Sequence, residues 1–525
     1  MIGYPRKFAV KAAPTPAPAA TYWLTRFVLL RLLGAVYAVA FLVAARQNIQ
    51  LIGAHGLTPM APIVHQVATQ DRTFSMFWQY PSLFWYFPSD AALTWTAWTG
   101  FALACVVMLG YANALMMLVL WALYMSFAHL GLEWYGYGWE IQLLETGFLA
   151  VFLCPLLDGR PFPKRAPPIA VIWLLRWLIF RIMIGAGLIK LRGDPVWRNY
   201  TALYYHFETQ PLPNGLSRWF HFLPPLVLRL GVGLNHFAEL VAPWFVFWPK
   251  LARHIAGSVI IIFQLTLVLS GNLSFLNWLT IIPALACFDD SFWRRVLPGK
   301  LVWHAEEAAA SALPSRGMKW ASWIYAGIVA LLSIPVVINL ASPRQLMNNS
   351  YEPFGLVNTY GAFGSVGKER LNVIFEGTDA AFPDDTAVWK PYQYIGLPVD
   401  LKQRPPQVGP DQLRLDGSSW FAAMGSPQQY PFTLNVVWKL LHNDPGTLSL
   451  FADNPFPDKP PQYIRARLYK YSFAPPGNPS GAYWTREDMG NWLPPMSIDY
   501  PGLREELVRR GWLDAKSADA TPTSM

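Results

Sequence analysis

Cysteine is nearly missing from this chain, and its few positions are wrong for a disulfide framework. Cys105, Cys154 and Cys287 all lie within apolar runs, and none lies in the polar C-terminal part. No C-x-x-C, H-E-x-x-H or G-x-S-x-G is present. That excludes thioredoxin-like disulfide exchange, zinc proteolysis of that type and the nucleophile elbow of an α/β-hydrolase lipase. Charge is scarce as well. Only 14% of the 525 residues are charged, against about 25% in ordinary soluble domains, while 53% are hydrophobic and 15% aromatic. The formal net charge of +9 does not point to nucleic acid, because the basic residues fall mostly in short loops between apolar runs, where they report topology. Internal repeats, coiled-coil heptads and Gly-rich phosphate loops are absent.

What the chain has in abundance is long apolar sequence. Runs occur at about 22–44, 91–110, 113–131, 139–157, 168–191, 225–248, 251–271, 272–288 and 320–340. Each approaches the length of about 20 residues that crosses a bilayer as a helix. The first is too long for a cleavable signal peptide and carries Arg26 and Arg31, so it reads as a retained helix. The hairpins near Tyr111 and Gly271 are short enough for two runs to be re-entrant. Between the first two runs, Phe74, Phe77, Trp78, Tyr80, Phe84, Trp85, Tyr86 and Phe87 form an aromatic belt of the kind found at the headgroup level.

With the N-terminus cytoplasmic, the loops on that side hold Arg6, Lys7, Lys11, Arg160, Lys164, Arg165, Lys250, Arg253, Arg294, Arg295, Lys300, Arg316 and Lys319. The opposite loops hold Arg46, Arg72, Arg192, Arg198 and Arg218. This asymmetry obeys the positive-inside rule, and nine spans then place the C-terminal part outside the cytoplasm. The expected architecture is a polytopic α-helical membrane bundle of about nine spans followed by a β-rich soluble extracytoplasmic domain. Its boundaries are a disordered basic N-terminus at 1–21, a transmembrane helical domain at 22–340, the β-rich domain at 341–513 and a disordered tail at 514–525. Within 341–513, Leu371–Glu376, Tyr394–Val399 and Arg465–Phe473 alternate in the manner of strands, and Trp420–Met424 and Phe432–His442 read as helices. The size suffices for a core of its own.

The densest chemistry lies between Gly185 and Pro213, where an apolar run ends in Lys190, Arg192, Asp194, Arg198, His206, Glu208 and Gln210, interleaved with Trp197, Tyr200, Tyr204 and Tyr205. Ionisable groups at membrane depth must pair or protonate, so they are functional candidates; a wet loop capping two helices is the plain alternative. Glu140 and Glu145 open another span and need partners, for which Lys190, Arg192 and His236 are available. Asn235, His236 and Glu239 share one helical face at i, i+1 and i+4. Even with His206 added, these fall short of a zinc signature, so no metal and no cofactor is assigned. Lys190, Glu145, His206 and His236 are the candidates for chemistry. Arg192, Asp194, Trp197, Glu208, Gln210, Asn235 and Glu239 are candidates for a client-binding or structural network.

GLIKLRGDPVWRN, HFETQPLPN and Asn235–Pro243 together resemble the lipase maturation factor family. So do Trp389-Lys-Pro-Tyr, Arg404-Pro-Pro, Arg414-Leu-Asp, Trp420-Phe-Ala-Ala, Asn454-Pro-Phe-Pro and Ile464-Arg-Ala-Arg-Leu-Tyr in the C-terminal part. The resemblance implies a multi-pass membrane protein that helps secreted lipase-like clients reach an active state. The membrane would be that of the endoplasmic reticulum in a eukaryotic setting or the inner membrane in a bacterial one. Gly187-Leu-Ile-Lys-Leu and Trp197 are also faintly similar to vitamin K-dependent carboxylases, whose working base would correspond to Lys190. That similarity implies a second reading, an integral-membrane enzyme with a Lys190-centred site acting on a lipid, a quinone-like cofactor or a client side chain. A transporter lined by the buried charges is a third.

Overall fold

The computed structural model describes residues 20–384 and 386–513, so the expectations for residues 1–19 and 514–525 lie outside the described residues. All nine apolar runs form helices: α1 (Trp23–Ile52), α2 (Asp90–Leu109), α3 (Ala114–Leu130), α4 (Gly138–Leu153), α5 (Ile169–Arg192), α6 (Pro225–His236), α7 (Lys250–Ser270), α8 (Leu276–Ala284) and α9 (Arg316–Ala341). A π turn (Phe237–Val241) and a 3-10 segment (Ala242–Phe247) prolong α6. Six of the nine, namely α1, α2, α5, the extended α6, α7 and α9, are long and apolar enough to cross a membrane. Helices α3 and α4 have 17 and 16 residues, or about 25 Å at 1.5 Å per residue, short of a hydrocarbon core of about 30 Å. Helix α8 is shorter still, because it breaks into a 3-10 turn just after Pro283. The chain is a multi-pass membrane protein with six candidate spans, and three of the nine expected spans are shorter helices.

Local sequence sets the helix ends. Ser89 Oγ and Asn113 Oδ1 accept from the N–H groups of Ala92 (3.2 Å) and Met116 (2.9 Å), capping α2 and α3. Gly110 ends α2 at φ +112°, a conformation L side chains avoid, directly against the Arg31 guanidinium. Hydrophobic residues lie all round α1, which is consequently buried over two thirds of its apolar window. Leu226, Leu251, Ile262, Leu331 and Ile338 instead face outward on α6, α7 and α9. In the expected belt region, two short helices (Ala61–Thr69 and Thr73–Gln79) leave Phe74, Trp78, Tyr80, Tyr86 and Phe87 exposed.

Contacts at the two ends of the bundle show that successive helices run in opposite directions. At one end, the N–H groups of Trp23 and Leu24 donate to Asp290 (3.0 and 2.8 Å). There Arg26 reaches the Arg165 carbonyl, Ala112 and Ala114 bond to Gly159 and Pro155, Arg253 pairs with Asp289, and Leu313 N–H reaches Lys164 O. At the other end, Gln47, Glu140, Lys190, Ser270, Asn272 and Asn339 meet the C-terminal part or the 193–217 connection.

The C-terminal part contains an antiparallel sheet in the order β2–β1–β3–β4, with β1 (Arg370–Thr378), β2 (Lys390–Pro391), β3 (Tyr463–Phe473) and β4 (Trp484–Met496), besides helices α10 (Arg414–Ala422) and α11 (Phe432–Leu441). Strands β1 and β3, both expected as strands, pair from Arg370↔Tyr471 to Thr378↔Tyr463; β3 alternates in burial, while β1 is buried at every position but Leu371. Strand β4 and a terminal helix (Leu503–Arg509) were not anticipated. Tyr394–Val399 is not a strand. Asp416 Oδ1 takes the N–H groups of Gly396 and Leu397 (2.6 and 3.0 Å), so this backbone is satisfied by a side chain instead of a ladder. The expected helix at Trp420–Met424 is the end of α10, which begins six residues earlier, at Arg414.

One continuous apolar core runs from the bundle into the C-terminal part, including Leu143 and Val246 on one side and Ile374, Phe432 and Tyr471 on the other. Trp134 and Phe432 meet across the seam with ring centroids 5.0 Å apart.

Candidate functional site

Helix α5 delivers Lys190 to the C-terminal-domain end of the bundle, where it is 4% exposed. Its ammonium donates to Asn235 Oδ1 (3.2 Å) and to Glu239 Oε1, and Asn235 Nδ2 donates to Glu239 Oε2 (2.9 Å). The Trp197 ring lies below the ammonium at 4.9 Å, in cation–π contact. Glu239 sits in the π turn, whose extra residue widens the helix at the carboxylate. His236, which the i, i+1, i+4 spacing put on the same face, turns away and donates Nε2–H to the Trp197 carbonyl (3.1 Å). Asn235 and Glu239 thus join Lys190, and His236 does not.

Glu145 is not a partner of Lys190, Arg192 or His236. It pairs with Arg181, one helix over, with both side chains 1% exposed. It also accepts from Asn358 N–H (3.0 Å) and Tyr360 O–H (2.7 Å) of the C-terminal part. Sequence reasoning missed Arg181, although a guanidinium in the middle of the apolar run 168–191 was itself the signal. Glu140 likewise pairs with Arg414 of α10 (3.1 Å) and accepts from Tyr124. Two buried carboxylates of α4 therefore hold the C-terminal part rather than the Lys190 cluster.

The other candidates disperse. Arg192 donates to Gln345 Oε1 (2.8 Å). Asp194 caps the turn at Val196 N–H (3.0 Å). Trp197 Nε1–H reaches the Phe363 carbonyl (2.8 Å). Gln210 ties the connection to Ser217 Oγ (3.1 Å) and Ser270 O (2.9 Å). Glu208 accepts from Phe473 N–H (2.6 Å), and burial raises its carboxyl above the usual range. Arg370 of β1 donates to the carbonyls of Glu208, Gln210 and Pro211 (3.1, 2.6 and 3.0 Å); burial, opposed by Glu208, lowers it to about 9.

Between these groups and the C-terminal part lies a cavity of about 970 Å³, at the upper end of the range of about 300–1,000 Å³ typical of ligand pockets. Lys190, Asn235, Glu239 and His206 stand on one wall, Gln142, Asn277 and Thr280 on another, and Tyr360–Gly367, Trp420 and Phe421 close it from the C-terminal side. His206 is 5% exposed and its Nδ1 has no partner. Burial, with the Lys190 charge adding to it, lowers the imidazole to about 4, so it is neutral at physiological pH. Among the described residues no three of His, Cys, Asp and Glu stand close enough together to hold a metal ion.

The family model for the lipase maturation factor transmembrane domain matches residues 24–295, and that for the lipase maturation factor C-terminal domain matches 356–494. The chain belongs to the lipase maturation factor family. It is 42% identical over 533 residues to Lipase maturation factor 1 of Bos taurus, covering 96% of this chain and 94% of that protein. Against Lipase maturation factor 1 of Homo sapiens the identity is 42% over 526 residues (95% and 92%), and against Lipase maturation factor 2 of Homo sapiens 27% over 619 (95% and 86%). No solved structure matches. In this family member, Lys190, Asn235 and Glu239 fall in the transmembrane match and Tyr360, Trp420 and Phe421 in the C-terminal match, so the cavity lies at the seam of the two.

Proposed function

We propose that this protein is a membrane-embedded maturation factor for secreted lipase-like clients, with the C-terminal part presenting the client-binding face. The observation that carries this reading is the extent of the similarity: it runs at 42% identity through 96% of the chain, across helices, seam and sheet together. The C-terminal part, 341–513, faces the endoplasmic reticulum lumen or, in a bacterial host, the periplasm, and the N-terminus is cytoplasmic. Supporting that orientation, Arg165, Arg253, Arg294 and Arg316 sit in the connections or first helical turns at the bundle end remote from the sheet, in keeping with the excess of basic residues there. The Lys190–Asn235–Glu239 trio acts as a positioning network rather than a free base, because the ammonium already donates to two acceptors. The test is co-expression with a secreted lipase in cells lacking their own maturation factor. Lipase activity per secreted molecule should rise several-fold. Equal activity with and without the protein would refute the reading.

A further inference from the structure

The seam cavity has three features that the maturation role does not use. First, its polar walls carry unpartnered atoms. Gln142 Oε1, Ser274 Oγ and His206 Nδ1 belong to side chains that are 1, 8 and 5% exposed, and none of the three has a hydrogen-bond partner. All three residues line the cavity. A buried polar atom without a partner costs about 1–3 kcal/mol, so the fold tolerates three such atoms facing one space.

Second, the charges around the cavity are already neutralised. Lys190 pairs with Glu239, Glu369 with Lys470 and Asp411 with Arg46. An anionic or cationic head group would find no free counter-charge there, and burying it unpaired is expensive. The hydrogen-bonding groups on offer are uncharged: an amide oxygen, a hydroxyl and a neutral imidazole.

Third, the wall reaches the outer, lipid-facing surface of the bundle between α6 and α7. Val227 and Leu234 of α6 line the cavity yet are 44 and 47% exposed, and half-buried Thr266 and Leu267 of α7 line it beside them. Both helices are candidate membrane spans. A molecule can enter there from the bilayer side, between two candidate spans.

We infer that the seam cavity binds one neutral lipid of the acylglycerol class that keeps a free hydroxyl, the hydroxyl donating to Gln142 Oε1, the other head-group oxygens hydrogen-bonded to His206 and Ser274, and the acyl chain leaving between α6 and α7. Bound lipid supplies the missing partners and fills the gap between the bundle and the C-terminal part. The inference stands apart from any client, since it concerns a surface open to the bilayer.

The test uses the full chain in phosphatidylcholine nanodiscs with a monooleoylglycerol analogue carrying a diazirine on its acyl chain. After irradiation, adducts should concentrate on peptides containing Val227, Leu234 and Leu267. Unlabelled monooleoylglycerol should compete at least tenfold better than oleate, which bears a charge. Gln142→Leu with Ser274→Ala removes two of the unpartnered atoms without adding bulk, together with the Gln142 Nε2–Thr280 bond (3.0 Å), and should lower labelling about tenfold in protein that still melts cooperatively. Ala186→Phe fills the cavity and should abolish labelling in protein that still melts cooperatively. Labelling spread equally over the outer face of α9, equal competition by oleate, or undiminished labelling of the Gln142→Leu/Ser274→Ala protein would each overturn the proposal.

Discussion

At Lys190 the ammonium has Asn235 and Glu239 as acceptors and the Trp197 ring beneath it, and all four groups are buried. Removing the lysine strands a carboxylate, so Lys190→Met should cost roughly 3–5 kcal/mol. Adding Glu239→Leu to the same molecule should restore most of that in thermal unfolding. If client maturation returns with stability, the pair is structural; if stability alone returns, the proton-handling role belongs to Lys190. His206 makes a pH prediction with a definite sign. Its folded-state value of about 4 lies below the ordinary 6.5, so the unfolded chain binds the extra proton between these values and stability falls as pH drops through that window. Above about pH 6.5 the group contributes no slope. His206→Gln should therefore lose less thermal stability than the parent between pH 8 and 5, and parallel losses would contradict the assignment. Lys190 and Glu239 were both legible from sequence as candidates, and the structure pairs them. The partner of Glu145 was not, because Arg181 lies nine residues before Lys190 inside an apolar run and only the crossing of α4 and α5 selects it.

Helix α5 shows how elements meet through backbone rather than side chains. A Cβ on Gly185 would lie 2.3 Å from the Tyr360 carbonyl oxygen, and Gln345 Nε2 donates to the Gly185 carbonyl at 2.9 Å. Gly185→Val should therefore push the 356–363 segment off the helix, weakening the Glu145 contacts of Asn358 and Tyr360. Hydrogen exchange is expected to rise selectively at 356–363, whereas unchanged protection there would rule out the contact as a lock. The nine apolar runs were readable as helices because length and hydrophobicity are local properties. Strand β3 was readable because it alternates with period 2, whereas β1 is buried at every position but Leu371 and is betrayed by its Val-Ile-Phe run instead. Tyr394–Val399 alternates too, and fails as a strand because Asp416, some twenty residues later, takes two of its N–H groups. Burial without compensating charge holds that carboxyl up at about 6 despite those two bonds.

For the molecule as a whole, the lack of cysteine and the strand pattern suggest a C-terminal part that folds by itself, but the contacts argue otherwise. Arg370, Arg414 and Asn358 each reach with hydrogen bonds onto the helices or the 203–217 connection, and the apolar core is continuous across the seam. The fragment 342–513 expressed alone should fail to melt cooperatively, while the full chain in detergent melts as one unit; a sharp independent transition would disprove the coupling. A reporter active only outside the cytoplasm, fused at Ser350, should give signal, and cytoplasmic activity there would overturn the orientation. Composition alone determined that the chain lives in a membrane, since 53% hydrophobic and 14% charged residues cannot form an ordinary soluble surface. The motifs of the 185–213 stretch and the C-terminal part determined the family. Only the tertiary structure decided which carboxylate each buried cation holds and that the two halves enclose a cavity. Pairing partners and empty space arise from contacts between segments that lie from 36 (Arg181–Glu145) to 274 (Arg414–Glu140) residues apart, and no local pattern of hydrophobicity or spacing encodes them.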